Sequence, residues 1–139
     1  RPLGFEALKS RATHISVSEV IALESFWDSG RILTWVTLSP SQIYRGKQSR
    51  LRVLVPGGTV GMISQRVPGG PIFEVGEESL YFLEPMPTLD GLRLVGFMQG
   101  KVNESGSTAQ RFAIWNRRLE VGSTHFTPQS DSDVKGRGL

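Results

Sequence analysis

The chain has 139 residues, 38% of them hydrophobic, a formal net charge of +3 and no cysteine. That length suits one domain and leaves a second cramped, and a domain of this size buries roughly 68–70% of its unfolded surface, so a single core holds the fold without cross-links. The absent cysteines exclude disulfides, zinc thiolate sites and cysteine nucleophiles, and no apolar run approaches the length of about eighteen residues needed for a membrane span.

Arg1-Pro2 opens the chain without a methionine or a leader, which reads as a processed or trimmed start. Phe5 to Arg11 predicts a short helix, with Phe5 and Leu8 three apart on one face. His14 to Phe26 reads as a long strand. Its apolar positions, Ile15 and Val17 and then Val20 and Ala22, change parity, which predicts a β-bulge near Ser18-Glu19. Asp28-Ser29-Gly30 turns the chain into a second strand, Arg31 to Tyr44, so that the two form a hairpin. Ile32, Thr34, Val36 and Leu38 make one face of it, and Leu33, Trp35 and Thr37 the other; Pro40 predicts a bend or an edge.

Leu51, Val53 and Val55 give the inward face of a third strand, with Arg50 and Arg52 outward. Val55-Pro56-Gly57-Gly58 and Val67-Pro68-Gly69-Gly70 flank a short irregular strand around Val60 to Val67. Ser79 to Leu83 is a continuous apolar run that suits a buried strand. Asp90-Gly91 makes a turn, Leu92 to Val102 another strand with bends allowed at Gly96 and Gly100, and Ala109 to Trp115 a last strand. The expected class is mostly β: a small antiparallel barrel of the OB type with a short N-terminal helix, with a β-sandwich as the alternative. Residues 1–122 form the domain and 123–139 a polar tail.

Several phrases in order carry a resemblance: Ile15 to Glu24, Phe26-Trp27-Asp28-Ser29-Gly30-Arg31-Ile32, Tyr44-Arg45-Gly46-Lys47, Val53 to Gly58, Val75-Gly76-Glu77, Tyr81-Phe82-Leu83 and Gly96 to Lys101. Over roughly residues 5 to 103 this series resembles an uncharacterised family of exported bacterial domains frequent in myxobacteria. More distantly it is similar to netrin-like domains, which include the tissue inhibitors of metalloproteases and are extracellular OB barrels. The resemblance implies an exported, non-catalytic domain, its signal peptide removed, that binds another protein at the cell surface or envelope, such as a secreted protease. Netrin-like inhibitors reach the catalytic zinc through an N-terminal cysteine. This chain has none, so that mechanism does not carry over.

The residues themselves add few chemical candidates. His14 starts a strand and His125 lies in the tail, so neither suits a catalytic relay. Glu74, Glu77, Glu78 and Glu84 form the richest acidic group; a hydrolase would need two of them across a cleft, and hydrated turn residues explain them better. Gly96 to Lys101 has three residues between its glycines and Val102 after the lysine, which departs from a phosphate loop. Arg45, Lys47, Arg50 and Arg52 are the densest basic stretch, which suits a solvated strand edge better than a nucleic-acid face. Trp35 is the candidate exposed aromatic. With Arg31 and Tyr44 it would offer a stacking surface for sugar or single-stranded nucleic acid, whereas Trp27 and Trp115 are expected to pack in hairpin or core. The candidate binding residues are therefore Arg31, Trp35, Arg45, Lys47, Arg50 and Arg52, with no cofactor or metal implied, a protein as the expected partner, and nucleic acid as the less favoured one.

Overall fold

A computed structural model of the chain describes residues 4–46, 49–87, 89–97 and 99–120. Its elements in order are α1 (Phe5–Arg11), β1 (His14–Asp28), β2 (Arg31–Arg45), β3 (Leu51–Pro56), β4 (Gly58–Val60), β5 (Ile63–Gln65), β6 (Glu78–Pro85), β7 (Leu92–Leu94), β8 (Lys101–Val102) and α2 (Thr108–Glu120). The tail expected over 123–139 lies outside the described residues. No described helix is long and apolar enough to cross a membrane.

Five strands close into a barrel. The order runs β1-β2-β3-β7-β6, and β6 returns to β1. This is the closed OB-like arrangement rather than the sandwich. It departs from the expected antiparallel barrel at one seam, because β3 and β7 run parallel and meet at the single pair Val53–Leu92.

β1 carries the closure. It pairs with β2 from Ile15 to Asp28 and with β6 from His14 to Glu19. Its first half is therefore covered on both faces, and Ile15, Ser16, Val17 and Ser18 are all buried. Ile15 and Val17 face outward, into a cluster with Leu80 and Phe82 of β6 and the helical residues Leu8, Trp115 and Leu119. Val20 faces inward with Val36, Leu38, Val53, Tyr81, Leu83, Leu92 and Leu94.

Two-sided burial corrects the reading of the bulge. Ile15, Val17 and Val20 share no single face, yet the strand keeps its alternation through Ser18 and Glu19. The extra residue of β1 is Ile21, skipped where Val20 pairs with Leu38 and Ala22 with Thr37. The register breaks before and after Ser16-Val17 come from β2, where Tyr44 and Ser41 are the unpaired residues. After Ile21 the inward positions become Leu23, Ser25 and Trp27, opposite Val36, Thr34 and Ile32. Trp27, near the hairpin end, is 46% exposed rather than packed away.

Past β3 the chain crosses this hairpin. Gly57 donates its N–H to the Ile32 carbonyl, and Gly58 rests on Ser25 and Thr34, whose hydroxyls are 2.7 Å apart. A Cβ at Gly58 would sit 2.2 Å from Thr34 Oγ1, so the Val55-Pro56-Gly57-Gly58 turn needs glycine there, where φ is +135°. The irregular strand expected around Val60 to Val67 is a three-residue hairpin, β4 and β5, turning at Gly61-Met62.

Two other expectations are corrected. The strand Leu92 to Val102 is broken into β7 and β8. Phe82 of β6 accepts the N–H of Val95 and donates to the carbonyl of Gly100, so the residues between leave the sheet as a turn. The strand expected at Ala109 to Trp115 is the helix α2. Its start is a capping box: Ser107 Oγ accepts the Gln110 N–H at 3.2 Å, and Gln110 Oε1 accepts the Ser107 N–H at 2.8 Å. Phe112, Trp115 and Leu119, spaced three and four apart, face the barrel as a helix stripe rather than an alternating strand. α1 is held from β2, because the Arg45 guanidinium donates to the carbonyls of Lys9 and Ala12 at its C-terminal end.

Two substitutions test this account of α2. Ser107→Ala removes the cap and costs about 1 kcal/mol. Trp115→Ala empties a fully buried site between helix and barrel and costs about 3–5 kcal/mol. Urea denaturation checks both, and equal costs for the two would contradict the packing described.

Candidate ligand-binding cleft

Over the β3–β7 seam lies a cleft of about 730 Å³. Its walls come from the start of β2 (Arg31, Ile32, Leu33), the end of β3 (Leu54, Val55, Pro56) and the residues after β5 (Arg66, Val67). Met86 and Pro87 of the β6–β7 loop and Gly96 and Phe97 of the turn after β7 complete them. The floor is apolar, and the rim is cationic: Arg11, Arg31, Arg66 and Arg93 against the one carboxylate of Glu84. A concave apolar floor with a few polar groups at its edge is the usual form of a binding site.

The rim has two unlike parts. Glu84, only 14% exposed at its side chain, pairs with Arg11 and with Arg93, each at 3.1 Å. Strand register sets one of these contacts, since Glu84 and Arg93 are direct partners across β6 and β7. Arg31 and Arg66 form no ion pair among the described residues. Phe97 stands at the lip, 67% exposed and at φ +66°. A bulky side chain in the left-handed region costs roughly 1–2 kcal/mol, a strain of the kind concentrated at functional positions.

A second hollow, about 580 Å³, lies by the start of β6 and of α2 and is lined by Glu19, Glu77, Glu78, Glu104 and Arg111 among others. Two of its four carboxylates are engaged. Glu77 pairs with Lys101 at 2.6 Å, and Glu78 pairs with Arg111 at 3.6 Å and accepts from Ser41 Oγ at 3.1 Å. The Lys101 ammonium, almost wholly buried, also donates to the Ile72 carbonyl and lies 4.6 Å from the Phe73 ring centre. These contacts fasten the loop before β6 to the barrel. The four glutamates read as an acidic group do not converge: Glu74 is exposed, Glu77 and Glu78 line this hollow, and Glu84 sits in the cleft at the other end of β6. Among the described residues no three metal-ligating side chains come together.

The six candidate binding residues are not one surface. Arg31 lines the cleft. Trp35 is half-buried on the outer face of β2, with the Arg52 guanidinium 4.2 Å from its ring centre. A Cβ on Gly91 would lie 2.8 Å from two carbons of that ring. Arg52 also pairs with Glu24 at 3.8 Å. Arg45 holds α1, Arg50 is exposed before β3, and Lys47 is outside the described residues, as is His125. Tyr44, expected beside Trp35, is buried and donates to Asn116 of α2. The cleft adds Arg11, Arg66, Arg93 and Phe97, which no shared sequence motif connects. No protein-family model, curated protein or solved structure matches the chain.

Inside the barrel, the Tyr81 hydroxyl is buried beside the Ser79 hydroxyl without a well-formed hydrogen bond among the described residues. Burial, and then the charge of Glu77, pushes its ionisation above the ordinary tyrosine range. The folded state thus keeps a proton that the unfolded state loses above about pH 10, so this part of the stability is full below that pH and falls as pH rises beyond it. Tyr81→Phe is expected to lessen the alkaline loss and, by deleting a buried hydroxyl that lacks a well-formed hydrogen bond, to raise stability at pH 7 by about 1 kcal/mol. Urea midpoints across neutral to alkaline pH check this; a loss at pH 7 would mean that the hydroxyl is satisfied.

Proposed function

We propose that this is a non-catalytic interaction domain that binds another protein through the cleft over the β3–β7 seam. The observation that carries the reading is the pairing of an apolar floor with an arginine rim at the one seam where the barrel closes on a single residue pair. An acidic, partly apolar segment of a partner matches both features: its side chains bury on Leu33, Leu54 and Phe97 while its carboxylates meet the guanidinium groups. Glu77 and Glu78 of the second hollow are tied to Lys101, Arg111 and Ser41, which favours a structural role for these two over hydrolysis. The resemblance to exported bacterial domains supports a partner at the cell surface or envelope.

Single-stranded nucleic acid is the weaker reading. Base stacking uses a series of open aromatic faces; Trp35 is covered by Arg52 and closed in beside Gly91, and the cleft is lined by a single aromatic ring, Phe97.

Fluorescence anisotropy with labelled probes tests the choice. A peptide alternating glutamate with leucine is expected to bind saturably, and Phe97→Ser to weaken it about tenfold, the worth of one well-buried aromatic contact. An oligothymidylate is expected to bind no better than polyglutamate. Tighter oligothymidylate binding would replace the protein-binding reading with the nucleic-acid one.

A further inference from the structure

We infer that the cleft has one working anion site, formed by Arg31 and Arg66, and that Glu84 keeps Arg11 and Arg93 from acting as a second. This rests on the reading of the cleft as the binding site and goes further, because it assigns the partner's acidic group to one side of the rim.

Charge balance divides the rim. Arg11 and Arg93 share the carboxylate of Glu84, each at 3.1 Å, and that carboxylate is largely withdrawn from water. A ligand carboxylate arriving there meets a centre already neutralised in part and repels a fixed negative charge. To bind, it must displace an intramolecular partner that is anchored on β6 and faces Arg93 by strand register. Arg31 and Arg66 present their charge with no such competitor among the described residues, and both line the same apolar floor. Arg31 follows the β1–β2 turn and Arg66 follows β5. The two chain segments are joined where Gln65 Oε1 accepts the Ile32 N–H at 2.6 Å, so both arginines hang from one hydrogen-bonded junction. The ligand class that fits is a peptide segment whose acidic residue precedes or follows an apolar anchor. The acid lies on Arg31 and Arg66, and the apolar residue lies on the floor toward Phe97.

Glu84 then acts as a selectivity device. It holds the rim to a local surplus that suits a singly acidic contact, and it lowers the attraction for polyanions that would coat all four arginines.

The test is anisotropy titration of the full chain with a labelled peptide alternating glutamate with leucine, at low and physiological salt. Arg31→Ala and Arg66→Ala are each expected to weaken binding about tenfold and to flatten its salt dependence. Arg93→Ala is expected to weaken binding by less than either of these, and Glu84→Gln to strengthen it and steepen the salt dependence, since two guanidinium groups are released. Circular dichroism and urea midpoints of each variant separate lost binding from lost folding. Arg93→Ala weakening binding as much as Arg31→Ala, or Glu84→Gln weakening it in a folded protein, would overturn the assignment while leaving the cleft as the site. No saturable binding by the unaltered chain would overturn the cleft reading and this assignment together.

Discussion

The double pairing of β1 is the constraint from which the rest of the structure follows. One strand bonds to β2 along its whole length and to β6 over its first six residues. From Ile15 to Ser18, where it is paired on both edges, it is also buried on both faces, between the barrel interior and the two helices. The remaining part, past Ile21, leaves β6 behind and continues with β2 as a hairpin arm. The bulge at Ile21 makes this division. It resets the inward positions, so that Ser25 and Thr34 form the shelf on which Gly58 and the β4–β5 hairpin rest.

Closure at β1–β6 explains why the opposite seam is slight. β3 and β7 need only complete a ring already held elsewhere, and they do so with Val53–Leu92. Side chains from six segments converge over this junction without backbone pairing among all of them, which is what leaves a lined hollow there. Lys101 and Arg45 each fasten another segment to the barrel. One buries its ammonium to fasten the loop before β6, and the other spends its guanidinium on the carbonyl end of α1. A buried charge such as that of Lys101 is retained only where it is paired and hydrogen-bonded. The contribution of both residues here is positional, because each holds an irregular segment against a regular one.

The barrel was legible in the residues because short-range signals and the global fold agree. Helix α1, the long hairpin, the inward face of β3 and the buried run of β6 all follow from spacing and turn residues. The failures have specific causes. The bulge was misplaced because two-sided burial hides the alternation on which its placement relied. Helix α2 read as a strand because Phe112, Ile114 and Ala113 are ambiguous over so short a window, although Ser107 and Gln110 carry a capping box that marks a helix start. The break after β7 depends on Phe82 bonding to residues on both sides of a turn, a long-range contact. The cleft was legible only at Arg31. Arg11, Arg66, Arg93 and Phe97 come from separate elements, and their convergence is a product of barrel closure. Basic residues close in sequence proved dispersed in role, with Arg45 and Arg52 engaged by other residues of the chain.

The same two-edged strand has a consequence for how the chain reaches this state. The β1–β2 hairpin joins neighbours in sequence and forms from local contacts, whereas β6 lies some sixty residues further on, and distant pairings of this kind form slowly. Until β6 arrives, the edge from Ile15 to Ser18 is open, flat and without charge, and Glu19 is its first ionised side chain. An uncharged open edge is a template for pairing with other molecules. The stretch that closes the finished barrel is therefore its exposed flank during assembly, and Glu19 is the lone acidic gatekeeper on it.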